Sequence, residues 1–261
     1  MQTTTSADGT TIAYEVVGAG APLVLVGGAF NDRRSPSAGL PLAGLVAGER
    51  TVVCYDRRGR GDSGNTLPYA PEREVEDLAA VIAATGGAAA VFGHSSGAAL
   101  AVRAAVAGVG VTELVLFEPP YTARDDEAAG NDDLGRRLCA LVSADRRGAA
   151  VEEFQIAIGM PRELVEAMRG APFRAALEAI AHTLPYDLAV IGRGTVPADL
   201  LARVDVPTRV VVGAASPEAL IAAGRATAEA VPGARLDVAD GVDHSAAPDV
   251  LARLITATAG T

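Results

Sequence analysis

The sequence predicts an α/β fold, a parallel or mostly parallel sheet covered by helices. Three observations point there. Short β-rich runs alternate with longer Ala- and Leu-rich runs, the rhythm of strand–helix units. The apolar run AAAVFG (88–93) passes through GHSSG (93–97) into a stretch of small residues, which reads as strand, sharp turn and helix. A chain of 261 residues with 49% hydrophobic content is long and apolar enough for a sizeable core.

The elements follow in order. TTIAYEVVG (10–18) and APLVLVGG (21–28) read as the first strong strands, joined by a Gly-rich turn. TVVCYD (51–56) is the next strand and leads into the loop RRGRGDSG. EREVEDLAAVIAATG (72–86) carries apolar residues at helical spacing with charges on its other face. TELVLFEPP (112–120) is a strand stopped by two prolines. From Tyr121 to about Pro197 the pattern changes to several short helices broken by Pro and Gly, an all-helical insertion that suggests a cap over the carboxyl ends of the sheet. Strand rhythm returns with VPTRVVVGAA (206–215), a helix through Ala230, ARLDVAD (234–240) and a last helix from about Ala246. Residues 1–120 and 198–261 are therefore expected to form the core and 121–197 the cap, with no internal repeat.

The net charge is −10, and every basic residue is arginine. An acidic chain with no basic cluster is a poor partner for nucleic acid or an anionic membrane surface. Residues 78–102 contain no charged side chain, the length of a membrane span, but Gly86-Gly87 and His94-Ser95-Ser96 interrupt them; helix, turn, strand, turn and helix explain the run better. The N-terminus lacks the basic and apolar regions of a signal peptide, and a cytoplasmic location is expected. Cys54 and Cys139 make neither a metal spacing nor a disulfide framework, and Cys54 reads as a buried thiol. The acidic patch RDDEAAGNDD lacks calcium-loop spacing and reads as solvated. Nothing in the motifs implies a metal or an organic cofactor.

G-x-S-x-G at a strand-to-helix turn has a physical rationale. The serine needs small neighbours on a sharp turn, and its side chain then stands near the positive end of the following helix. A nucleophilic serine needs a base, and only three histidines exist: His94, His182 and His244. His94 adjoins the serine but points away from it and packs, whereas His182 lies in the proposed cap, facing surface or substrate. His244, in DGVDHSAAP after the last strand, occupies a strand-end loop from which a base leans over a neighbouring serine.

LVLVGG, YDRRGRGDSG, GHSSG, VPTRVVVG and GVDHS, in this order and spacing, resemble the α/β-hydrolase superfamily over nearly the whole chain. The resemblance implies an eight-stranded, mostly parallel sheet flanked by helices, with a helical cap after the sixth strand. It assigns Ser95 as nucleophile and His244 as base, with an oxyanion hole made by the backbone N–H groups of Ser96 and of Ala29 in the turn at 28–30. Gly27 stands where the family usually has histidine. The acid also departs. Most of the family carries an aspartate after the seventh strand, where this chain has Ala214, Ala215, Ser216 and Pro217. Glu218 lies nearby, but in a helix's first turn, where capping explains it. Glu118 ends the strand after the nucleophile strand, where some members of the family place their acid, and is the candidate acid. A carboxylate between Phe117 and Pro119 is also costly to bury without a partner such as a protonated imidazole; the alternatives are a Glu118 that points to solvent or binds substrate without touching His244. Asp56 and the glycines of DRRGRGDSG are expected to shape a tight turn near the pocket, and Arg33, Arg34, Arg57, Arg58 and Arg60 to be solvated, the alternative being contact with an anionic substrate.

The expected function is cofactor-independent serine hydrolysis of a small-molecule ester, thioester or lactone. A cyclase, lyase or acyltransferase on the same fold, and a non-catalytic ligand-binding protein, are the alternatives. Substrate identity and oligomeric state are not legible in the sequence.

Overall fold

The apolar runs build one sheet in the computed structural model, which describes residues 1–48, 50–123 and 130–257. Its strands are β1 (Gln2–Thr5), β2 (Thr11–Val17), β3 (Ala21–Val26), β4 (Arg50–Tyr55), β5 (Ala89–His94), β6 (Val111–Phe117), β7 (Thr208–Gly213) and β8 (Arg235–Ala239). They lie in the order β1-β2-β4-β3-β5-β6-β7-β8. β1 and β2 pair antiparallel with their neighbours; every pair from β4 to β8 is parallel. β1 is an addition to the expected strands. Its QTTT is polar and mostly exposed, and it exists by pairing with β2 (Gln2 opposite Tyr14), so apolar periodicity could not reveal it.

Alternation along the parallel strands sorts the core into two layers. Val24, Val26 and Val91 face α2 (Pro71–Ala84) and α3 (Ser96–Val106), meeting Leu78, Val81 and Leu100. Leu23, Leu25, Phe92 and Phe117 face α1 (Leu40–Val46) and α11 (Pro248–Thr256), meeting Leu42, Val46, Leu251 and Ile255. α10 (Glu218–Ala230) connects β7 to β8, the helical crossover that parallel neighbours require.

Between β6 and β7 the described chain is helical: α4 (Gly130–Ser143), α5 (Arg147–Ala157), α6 (Arg162–Ala167), α7 (Arg174–Ala179), α8 (Leu184–Ile191) and α9 (Ala198–Leu201). Leu134, Leu138, Val151, Phe154, Leu184 and Leu188 form a separate apolar cluster, against which Ala29 and Phe30, just beyond β3, also pack. The insertion is thereby seated on the carboxyl end of the sheet. Most of the acidic patch, residues 124–129, lies outside the described residues; Asp132 and Asp133 sit in the first turn of α4, where the helix dipole favours acids. No described helix is long and apolar enough to cross a membrane.

Candidate active site

Ser95 stands between β5 and α3 with φ 55° and ψ −125°, a conformation costly for a residue with a side chain. Packing on all sides enforces it. A Cβ at Gly93 would lie 2.6 Å from Ala98 Cα, and one at Gly97 would overlap the Val26 carbonyl, so both flanking positions require glycine. The Ser95 N–H donates to the Phe117 carbonyl at 3.0 Å, tying the turn to the end of β6. A Cβ at Gly28 would lie 2.9 Å from Ser95 Cβ and 3.5 Å from Ser95 Oγ. Only a glycine lets the β3 loop approach the serine this closely.

Glu118 follows directly on β6 and also has positive φ, 48°. Its N–H donates to the Val211 carbonyl in β7 at 2.9 Å, and its side chain is fully buried. Oε2 lies 2.7 Å from His244 Nδ1. Oε1 accepts the Gly213 N–H at 2.8 Å and the Ser216 hydroxyl at 2.6 Å. Burial alone would raise this carboxyl, but hydrogen bonds from His244, Ser216 and Gly213 outweigh it and hold Glu118 below the ordinary glutamate range. Ser216 is a site residue that the sequence reading does not include. It occupies the segment after β7 where most of the family carries an aspartate, and it donates to a carboxylate arriving from β6. A hydroxyl in the place of the missing acid is the available signal.

His244 sits in the loop between β8 and α11, with its side chain 40% exposed. That loop rests on the end of β7. A Cβ at Gly213 would overlap the Val242 carbonyl, which accepts the Ala215 N–H at 2.9 Å. With Nδ1 facing a carboxylate, Nδ1 carries hydrogen and Nε2 is the nitrogen left to accept a proton. His94 packs beneath, its ring centroid 4.8 Å from that of His244 and 5.4 Å from that of Phe117. His94 Nε2 donates to the His244 carbonyl at 3.3 Å, the tautomer following from an oxygen that can only accept. Burial, reinforced by His244, pushes His94 down to about 3, so it is neutral and structural at neutral pH. His182 is half-buried between α7 and α8, edge-on to Tyr186.

α3 begins at Ser96, whose N–H belongs to the first turn and has no intrahelical acceptor. Among the described residues neither this N–H nor that of Ala29 has a protein acceptor. Phe30, next to Ala29, has φ 62°. Phe30, Ser95 and Glu118 are thus three positive-φ residues with side chains around one strand-end cluster, the kind of strain that concentrates at functional sites.

The arginines correct the sequence reading. Arg33, Arg57, Arg58 and Arg60 are buried, and only Arg34 is exposed. Arg33 pairs with Asp56, Glu15 and Asp62. Arg58 makes a bidentate pair with Asp77 (both 2.7 Å) and reaches Asp8. Arg57 forks onto Glu74 at 2.6 and 2.8 Å, and its Nη1 donates to Asp187 at 2.7 Å and to Ser96 Oγ and the Gly27 carbonyl at 3.2 Å. Arg60 donates to Asp187 at 2.7 Å and to the Gly28 carbonyl at 2.6 Å. These charges are affordable inside because each guanidinium meets a carboxylate in matched geometry. Asp56 is buried as expected of the turn, accepting the N–H groups of Arg33 and Asp62, and Gly61 leaves room for its carboxylate. Cys54 is buried and its thiol pushed up to about 12 by burial; Cys139 is exposed.

Comparison with known proteins agrees with this architecture. A model of the alpha/beta hydrolase family matches residues 23–254. The chain is similar, at 48% identity, to an alpha/beta hydrolase from Sphaerobacter thermophilus, covering 97% of this chain and 98% of that one with a TM-score of 0.90. A hydrolase from Pseudomonas aeruginosa is 25% identical, over 92% and 90% of the two chains, with a TM-score of 0.69. The fold is shared with an esterase from Rhodococcus sp. at 23% identity, 98% and 95% coverage and a TM-score of 0.67. No curated protein matches the chain. With its described strands, its elbow and a family match over most of its length, the chain belongs to the alpha/beta hydrolase family.

Proposed function

We propose that the protein hydrolyses an ester-type bond through an acyl-enzyme on Ser95. The observation that carries this reading is the 2.7 Å contact between Glu118 Oε2 and His244 Nδ1, at the end of β6 to which the N–H of the elbow serine is tied. His244 Nε2 takes the proton of the Ser95 hydroxyl as Oγ attacks the carbonyl carbon. The carbonyl oxygen becomes an oxyanion, stabilised by the N–H groups of Ala29 and Ser96. The tetrahedral intermediate collapses, and the imidazolium returns the proton to the departing alcohol or thiol. Water, deprotonated by the same nitrogen, then attacks the acyl-enzyme; collapse releases the carboxylic acid and restores Ser95. Glu118 remains ionised, orients the ring and stabilises the imidazolium. An ester, thioester or lactone suits this sequence of steps. Neighbours of the same fold bear the names esterase, from Rhodococcus sp. and Thermogutta terrifontis, and enol-lactonase, from Burkholderia xenovorans.

The test is turnover of short-chain p-nitrophenyl esters, thioesters and lactones by wild type and Ser95→Ala. Loss of at least about 10³-fold in kcat in the folded variant is expected. Turnover of an acyl substrate within about tenfold of wild type in Ser95→Ala contradicts the assignment.

A further inference from the structure

We infer that Arg60, braced by Asp187, is a positioning residue of the oxyanion hole: it grips the carbonyl of the Gly28–Ala29 peptide and so aims and polarises the Ala29 N–H. The inference rests on the proposed roles of Ser95, Ala29 and Ser96.

The Gly28 carbonyl and the Ala29 N–H are two ends of one planar peptide unit and point in opposite directions. Arg60 Nη1 donates to that carbonyl at 2.6 Å and to the Asn31 carbonyl at 3.2 Å. Its Nη2 donates to Asp187 Oδ2 at 2.7 Å and its Nε to Thr183 Oγ1 at 3.2 Å. All three guanidinium nitrogens are engaged and the side chain is buried, so the fork has one orientation. A cationic donor on the carbonyl withdraws electrons through the peptide and makes its N–H a stronger donor at the far end. The Ala29 N–H therefore faces away from Arg60 with no protein acceptor among the described residues, while Gly28 lies against Ser95.

The second donor is tied to the same carboxylate. Asp187 Oδ1 accepts the Ser96 hydroxyl at 2.6 Å and Arg57 Nη1 at 2.7 Å, and Arg57 Nη1 also reaches the Gly27 carbonyl at 3.2 Å. One buried carboxylate on α8 thus fixes the loop carrying Ala29 and the residue carrying the other N–H. Arg60 touches no reacting atom; it acts through a peptide bond.

The experiment compares wild type, Arg60→Lys and the charge-balanced Arg60→Met/Asp187→Asn, using a p-nitrophenyl ester and a fluorophosphonate. In the folded double variant kcat is expected to fall about ten- to a hundredfold with KM within about threefold, and labelling of Ser95 to slow by a similar factor, since the phosphonyl oxygen occupies the same hole. The pH at which kcat/KM is half-maximal stays in place, because the Glu118–His244 pair is untouched; a merely structural defect would disturb KM and this pH as well. A folded double variant with kcat within about threefold of wild type, or with its loss confined to KM, overturns the inference. If the double variant does not fold, Arg60→Lys decides. A point ammonium cannot serve Gly28, Asn31 and Asp187 together, so kcat falls about fivefold or more, and an unchanged kcat overturns the inference. A wild type that turns over the ester without labelling at Ser95 overturns the serine-hydrolase reading and this inference with it. Normal labelling with unaffected Arg60 variants overturns this inference alone.

Discussion

On one flank of Ser95 stand a single buried carboxylate, Glu118, and a histidine whose side chain is 40% exposed. On the other flank, four charged groups (Arg57, Arg60, Glu74 and Asp187) are buried together behind the Gly27–Ala29 loop. The difference follows from the roles proposed for each flank. A base has to exchange protons with solvent-derived water, so its ring needs access and one orienting partner. Backbone donors exchange nothing and need rigidity, which a closed lattice of matched ion pairs supplies. The acid flank is therefore expected to be sensitive chiefly in rate, and the arginine flank in stability and, through Arg60 and the aim of the Ala29 N–H, also in rate.

Three changes test that contrast. Glu118→Gln keeps the shape of the side chain but removes the charge that orients and stabilises the imidazolium; kcat is expected to fall about 10²- to 10⁴-fold, measured by steady-state ester hydrolysis. A loss below about threefold would show that Glu118 is not the acid. Arg57→Met leaves Glu74 and part of Asp187 without their cation and is expected to cost about 3–5 kcal/mol of stability in chemical denaturation. A cost under about 1 kcal/mol would mean that the lattice does not brace this flank. His94 offers the smallest effect. Its value is depressed to about 3, so the unfolded chain binds the proton first and stability falls as pH drops from about 6.5 toward 3. His94→Gln should flatten that loss, by up to about 1.4 kcal/mol per pH unit at most. An unchanged slope between wild type and variant would contradict a neutral, buried His94.

The two flanks also differ in how far the sequence exposes them. Ser95, Glu118 and His244 are each placed by local signals: a glycine-flanked serine, an acid between an aromatic and two prolines at a strand end, a histidine after the last strand. The 2.7 Å contact joins residues 126 apart, yet strand order alone brings those ends together. Ser216 is harder, because its role depends on a carboxylate from another strand. The arginines are hardest. RRGRGD looks like a solvated loop until Glu74, Asp77 and Asp187 are in place, and Asp187 is 130 residues from Arg57. Such pairings follow from how the helical insertion seats on the sheet, which local periodicity does not encode. β1 escaped for a related reason, being held by pairing rather than by apolar burial.

The most direct test of the central claim is reaction with a fluorophosphonate, followed by intact mass and peptide mapping. One adduct per chain is expected, on Ser95, formed quickly in wild type, slowly in Glu118→Gln and not at all in Ser95→Ala. Folded wild-type protein that takes no label, or takes it elsewhere, would contradict the account.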